Sequence, residues 1–230
     1  MDVLVIDIGG TSVKLWHTGH EEHLKFESGK TLTPDKMVAQ AVETAKDWEF
    51  EAIALGIPSR VNNGRPVEDP PSLGSGWVSY NFSAAFAKPV RILNDASLQA
   101  LGGYDGGRML FIGLGTAVGS ALIADRLLLT LDIGRLRYGE DRVFEVLGDA
   151  GLDKLGLKKW RLAVNDITIS TKNALMADYV VLGGGNVKKI EELPDGVRRG
   201  HNRNAVEGGR RLWEELPDPA KPNPSEWLIL

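Results

Sequence analysis

Short apolar runs alternate with glycine-centred turns along this chain. Val3-Leu-Val-Ile6 is a β-branched run leading into Asp7-Ile-Gly-Gly-Thr11, a tight turn. Val13 and Leu15 then alternate with Lys14 and Trp16, which predicts a second strand returning antiparallel to the first. Residues 22–27 alternate again and suit a third strand. Met37, Val38, Ala41, Val42, Ala45 and Trp48 recur at helical spacing, with Thr33 as N-cap and Pro34 at the first helical position. A helix over 34–48 is therefore predicted, with those six side chains in the core. Strands follow over 52–57 and 90–93, separated by a loop-rich stretch, 58–81, that contains four prolines. Asn94-Asp95 starts a helix running through 101. Two strands, 109–114 and 118–123, flank Gly113-Leu-Gly-Thr-Ala-Val-Gly119. Trp160, Val164, Ile167, Thr171 and Ala174 share one helical face, although Ile167 to Thr171 has a strand-like composition. A strand over 179–182 closes on Gly183-Gly-Gly185, a last helix covers 202–216, and the Pro-rich tail 217–224 reads as irregular. The order describes two similar halves, each opening with a glycine hairpin.

Composition narrows the function. The chain has 230 residues, 43% hydrophobic and 25% charged, enough for one large domain or two small ones. A net charge of -4 argues against a globally basic nucleic-acid binder. The absence of cysteine excludes a disulfide framework, a thiolate zinc site, an iron–sulfur cluster and a cysteine nucleophile. No apolar run approaches the ~20 residues of a membrane span, and the start lacks a signal-like pattern. The expectation is a cytoplasmic protein with no membrane or nucleic-acid partner. Glycine stands out at 27 residues, well above the usual ~7%.

Those glycines sit where chemistry is plausible. In Asp7-x-Gly9-Gly10-Thr11-x-x-Lys14 the glycines let backbone N–H groups approach an anion, and Thr11 adds a hydroxyl donor. Asp7, at a strand end, can hold Mg²⁺ through water. The plain alternative is an ordinary hairpin turn. A strand follows rather than a helix, so this is neither a P-loop nor a Rossmann fingerprint. Gly115 and Thr116 lie in a second hairpin of the same design, about a hundred residues on. Two such hairpins can face each other across a cleft and clamp a polyphosphate. Asp95 can accept a proton from an attacking hydroxyl, while the dipeptide Asn94-Asp95 also suits a plain helix cap. Gly183, Gly184, Gly185 and Asn186 could floor a flat ligand such as adenine, or simply lead into a helix.

Asp7-Ile-Gly-Gly-Thr11, Leu93-Asn-Asp95, Gly115 to Ile123 and Val181-Leu-Gly-Gly-Gly-Asn186 occur in that order. Together they resemble the phosphate-1, catalytic-aspartate, phosphate-2 and adenosine motifs of the ROK sugar-kinase family, nearest its polyphosphate glucokinases. The resemblance runs from Val3 to about Trp213. It implies an α/β, actin-like (ribonuclease-H-like) fold of two lobes around a central cleft. Residues 1–93 would form the first lobe, 94–201 the second, and 202–230 a helix returning to the first lobe plus the tail. It implies phosphoryl transfer from ATP or polyphosphate to a hexose such as glucose, with Asp95 as general base. Asp7, Gly9, Gly10, Thr11, Lys14, Gly115 and Thr116 would hold donor phosphates. Asp7 would position Mg²⁺ indirectly, and Gly183, Gly184, Gly185 and Asn186 would line the donor base or chain. Asn94, Asp95, Asp132 and Arg135 would meet the sugar. Homodimers are usual in the family, so a dimer acting on small molecules is expected.

The chain departs from the family pattern mainly on the sugar side. Ala117 replaces the middle glycine of Gly-Thr-Gly, a strain on the order of 1 kcal/mol if φ is positive there. Ser59 replaces the last glycine of Gly-x-Pro-Gly, and Ser72 replaces an asparagine five residues before Trp77. Asp132-Ile-Gly-Arg135 stands for Glu-x-Gly-His, and Arg137 for a glutamate. An arginine cannot serve as a neutral acceptor, so weak glucose activity, an anionic acceptor or a non-catalytic phosphate-binding protein are the alternatives. Without cysteine the family's zinc cluster is not expected, and neither is an N-terminal DNA-binding domain, since the phosphate motif starts at Asp7. The basic clusters at 154–161 and 188–211 read as solvated faces, or as guides for a long polyanion.

Overall fold

The computed structural model describes residues 1–201 and 203–214, and the backbone of 228–229. The first half builds β1 (Val3–Ile8), β2 (Ser12–His17), β3 (His23–Glu27), α1 (Pro34–Thr44) and β4 (Ala52–Ile57). A small hairpin, β5 (Val61–Asn62) and β6 (Arg65–Pro66), precedes α2 (Phe82–Phe86), β7 (Val90–Asn94) and α3 (Asp95–Gly103). The second half builds β8 (Met109–Leu114), β9 (Val118–Ala124) and β10 (Leu127–Leu131). A second small hairpin, β11 (Arg137–Tyr138) and β12 (Asp141–Arg142), leads into α4 (Val143–Leu147) and α5 (Asp149–Ala174). Then come β13 (Tyr179–Gly183), β14 (Val197–Arg199), α6 (Asn204–Leu212) and β15 (Leu228–Ile229).

The two sheets have one topology. The first runs β3-β2-β1-β4-β7 and the second β10-β9-β8-β13-β14, with the short β15 added parallel to β10. In each, an antiparallel hairpin is followed by parallel strands. The duplication expected from the paired glycine hairpins is therefore present.

Each sheet buries both faces, so its central strands are apolar throughout. Ala52 to Ile57 and Tyr179 to Gly183 have no exposed position, as parallel strands covered on both sides require. α1 and α2 cover the outer face of the first sheet around the fully buried Trp77. α4 and α5 cover the outer face of the second around Trp160. Between the sheets lie α3 and α6, in one core shared by Val5, Ala54, Leu98, Phe111, Ala121 and Val206. Glycine makes that central crossing possible. A Cβ at Gly102 would stand 1.8 Å from the Asn204 carbonyl oxygen, and one at Gly208 would stand 1.9 Å from that of Leu98. The Trp213 indole donates to the Ile53 carbonyl at 3.3 Å under the Arg91 guanidinium, 4.4 Å from the ring centre. This ties the end of α6 to the first sheet.

Several expectations need correcting. α1 stops at Thr44 rather than 48, and Val42 faces solvent. Trp48, beyond the helix, packs half-buried against the same core and beside the His17 and His20 rings. Thr33 caps α1 through its backbone position alone, with no side-chain bond. Residues 167–171 are helical despite their β-branched content, because Trp160, Val164, Ile167 and Thr171 fill the core at one helical face. Ala174 is exposed. The last helix is described only over Asn204–Leu212, and the tail 217–224 lies outside the described residues. Among the described residues no helix is long and apolar enough to cross a membrane.

Candidate active site

Sheet register brings two carboxylates to one end of the first sheet. Asp7 on β1 lies opposite Gly56 on β4, and Gly56 lies opposite Leu93 on β7, two residues before Asp95. Gly56 thus separates two carboxylate-bearing positions. A Cβ there would lie 3.7 Å from Asp7 Oδ1, 3.4 Å from Asp95 Cα and 2.9 Å from Leu98 Cδ2. Burial pushes the Asp7 carboxyl up to about 6, with the Lys14 ammonium across the hairpin pulling the other way. Burial, and then the charge of Asp7, push Asp95 up to about 7 against the hydrogen bonds it receives. Two like charges, half-buried at one strand end, resist ionising together.

Asn94 orients the second carboxylate. Its Oδ1 accepts from the Ala96 and Ser97 amides at 3.0 and 3.3 Å, a side-chain N-cap for α3. Its Nδ2 donates to the Ser59 carbonyl at 3.1 Å. Both ends of the amide are therefore engaged within the protein.

The two glycine hairpins reach this point from opposite sheets. In the first, the Gly9 amide donates to Ser12 O at 2.9 Å, so that N–H is spent within the turn. Ser28 clamps the turn from β3's end, its hydroxyl donating to Gly9 O at 2.7 Å. Gly10 lies against Ser72, whose side chain would be 3.5 Å from a Cβ there. Thr11 and Lys14 are exposed. In the second, Gly119 packs on the first turn of α3, where a Cβ would be 2.6 Å from that of Ala96. This places the hairpin beside Asp95. Ala117 is absent from the residues with positive φ, so the anticipated strain does not arise.

The glycine triplet after β13 divides by role. Gly183 leaves room for the Phe111 ring, and Gly184 has φ +83° with a virtual Cβ 2.3 Å from Leu114 O. Gly185 is exposed and has nothing within 4 Å of a Cβ, so a ligand can approach it. Asn186 is buried, its amide N–H donating to Leu114 O at 3.0 Å. Its side chain donates to Asp149 Oδ1 at 2.6 Å, while Thr116 Oγ1 donates to Asp149 Oδ2 at 3.0 Å. Asp149 escaped sequence reasoning because its one cue, an acidic residue opening a helix, is generic.

Asp132 and Arg135 follow β10. Ser120 holds their segment, donating to Leu131 O at 2.9 Å and accepting from the Ile133 amide at 3.2 Å. Arg135 Nε donates to Asp132 Oδ2 at 2.7 Å in an exposed ion pair, and Glu68 adds its negative charge near Arg135. The charged group that raises Asp95 is Asp7, not this pair. Among the described residues no three histidine, cysteine, aspartate or glutamate side chains gather as a metal site. The basic residues mostly have partners. Arg161 bridges Lys189 O and Glu191, Arg199 bonds Ile190 O and Glu191 O, and Arg198 pairs with Asp105.

Comparison with known proteins finds sugar kinases of the same fold. The polyphosphate glucokinase of Mycobacterium leprae (strain TN) is 24% identical over 208 residues, 81% of this chain and 64% of that protein. The crystal structure of the inorganic polyphosphate/ATP-glucomannokinase from Arthrobacter sp. strain KM superposes with a TM-score of 0.77 at 18% identity, covering 90% of this chain and 96% of that one. The chain resembles the ROK sugar kinases, near the polyphosphate glucokinases. A ROK family glucokinase from Streptomyces griseus, solved with glucose and AMPPNP, matches at 0.73 and 14% identity over 92% of this chain and all of that one. The fold is accordingly the two-lobed, actin-like α/β fold of those kinases. No family model matches the chain. The chain spans just under two thirds of the Mycobacterium leprae relative.

Proposed function

We propose that this protein is a hexose kinase that moves a phosphoryl group from ATP or inorganic polyphosphate to a sugar hydroxyl. One observation carries the reading. A pair of carboxylates, Asp7 and Asp95, with raised proton affinity lies where glycine hairpins from two duplicated sheets converge. A base that titrates near neutrality suits removal of a proton from an alcohol. Asp95 takes the hydroxyl proton as the sugar oxygen bonds to phosphorus, and the donor leaves as the shortened phosphate. Such transfer depends on positioning and charge stabilisation, which needs no protein nucleophile.

Thr11 and Lys14 on the first hairpin and Gly115 and Thr116 on the second would hold donor phosphates, with Gly10 beside them. Gly185 would admit the donor base or chain. The residues suit Mg²⁺, which binds one or two carboxylates together with substrate phosphates. Asp7 would hold it, and when bound the ion supplies charge that offsets the phosphates. Asn94, Asp132 and Arg135 would border the acceptor, with residues 1–93 and 94–201 as the two lobes. Consumption of ATP and of polyphosphate, measured across a panel of sugars with Mg²⁺, tests the reading. Sugar-dependent turnover lost in Asp95→Asn is expected. No turnover in any pairing, or undiminished turnover in the variant, refutes it.

The Asp132–Arg135 pair favours a second reading. With its carboxylate already engaged, the acceptor side offers less to a neutral sugar. Tight donor binding without transfer would identify a phosphate-binding protein, and turnover confined to anionic acceptors a different kinase.

A further inference from the structure

We propose that Asp149 is a positioning residue that yokes the two donor-side loops and thereby sets donor affinity. Two segments distant in sequence meet on it. Its Oδ2 accepts from Thr116 of the β8–β9 hairpin at 3.0 Å, and its Oδ1 accepts from Asn186 of the loop after β13 at 2.6 Å. Its own amide donates to Gly115 O at 3.1 Å. The preceding residue must be small, since a Cβ at Gly148 would stand 3.1 Å from Thr116 O and 2.9 Å from Phe144 O. Gly148 thus lets the start of α5 lie directly against the hairpin. Asn186 is buried, so its side-chain donor depends on this carboxylate for a partner.

The inference rests on the kinase reading in taking the donor to lie between these loops. One carboxylate then fixes both walls of the donor site relative to each other, and losing it lets each wall move independently. An acidic residue in a first turn also favours the helix dipole, but that effect requires charge alone. Asparagine separates the two roles. It loses the charge yet can accept from Asn186 and donate to Thr116, whose hydroxyl both donates and accepts.

The test compares the full chain with Asp149→Ala and Asp149→Asn. Hydrogen exchange at the Gly115 and Asn186 amides, without ligand, reads the yoke. Calorimetric titration with Mg-ATP and with inorganic tripolyphosphate, without acceptor, reads donor affinity. In Asp149→Ala both loops should exchange about tenfold faster together, and the donor that the wild type binds should bind about tenfold more weakly. The acceptor KM should stay within about twofold. Asp149→Asn should restore exchange and affinity to within about threefold of wild type. The yoke is overturned if only one loop responds or if Asp149→Asn behaves like Asp149→Ala. The link to affinity is overturned if Asp149→Ala binds donor as wild type does. A wild type that binds neither probe overturns that link and the kinase reading together, while exchange still decides the yoke.

Discussion

Asp95→Asn should end phosphoryl transfer and, at pH 8, make the protein more stable. Burial and the neighbouring charge raise the Asp95 carboxyl from 3.8 to about 7. At a pH above both values, ionising it in the folded chain costs about 4 kcal/mol relative to the unfolded chain, at ~1.4 kcal/mol per pKa unit. Part of that cost belongs to Asp7, which stays, and the amide must still be desolvated. The recoverable share is about 2 kcal/mol, a rise in Tm of about 4–8 °C for a chain of this size. The direction with pH follows from the folded value lying above the unfolded one. The folded chain keeps its proton while the unfolded chain has already lost it, so wild-type stability falls as pH climbs from about 4 to about 7 and levels off above. The advantage of the variant should therefore grow across that window. Urea unfolding followed by tryptophan fluorescence at pH 5 and pH 8 measures it. A variant less stable than wild type at pH 8, or an advantage equal at both pH values, would refute a half-buried, charge-burdened carboxylate at this position.

The same pair predicts the pH profile: kcat/KM should fall about tenfold per pH unit below about 7, and Asp7→Asn should move the midpoint of Asp95 titration downward, seen by NMR of the carboxyl carbon, because the neighbouring negative charge is gone. Gly208→Ala should lower stability by about 3 kcal/mol in chemical denaturation, since its Cβ would strike the Leu98 carbonyl where α6 crosses α3. Ala117→Gly should not stabilise the protein and should cost up to about 1 kcal/mol, because φ at 117 is already one that alanine accepts. A stabilised Ala117→Gly protein would mean that the hairpin is strained after all.

Much of the fold was legible because its strands are apolar runs cut by glycine or proline. The omissions have physical causes. β10 follows a turn at Asp125 and Arg126, both with positive φ, and neither residue announces such a turn as Asn-Gly would. Its sequence, Leu-Leu-Leu-Thr-Leu, also lacks alternation. β14 is three residues long, two of them arginine, and exists because its backbone completes the second sheet beside β13. The helical spacing overruns the end of α1 because apolar residues continue past Thr44, and Trp48 reaches the core and the histidine rings from beyond the helix.

The site was legible as residue types but not as distances, and glycine shows why. Residues 9, 10 and 115 could be recognised because turns carry a local signature. Gly56 and Gly119 also fall within motifs, but their packing roles could not be read, since each sits inside a strand and is explained only by something distant in sequence. Gly56 is small because Asp7, Asp95 and Leu98 converge around it, and Gly119 because the second sheet rests on Ala96. Gly102 and Gly208 likewise answer to each other's helix. The glycine excess therefore serves two purposes: some glycines shape turns that, on the proposed reading, receive phosphate, while others are contact points that bring the two halves together. A side chain at Gly119 would lift the second hairpin off the helix that carries Asp95, leaving Gly115, Thr116 and Asp95 unchanged while separating groups that act together on the proposed reading.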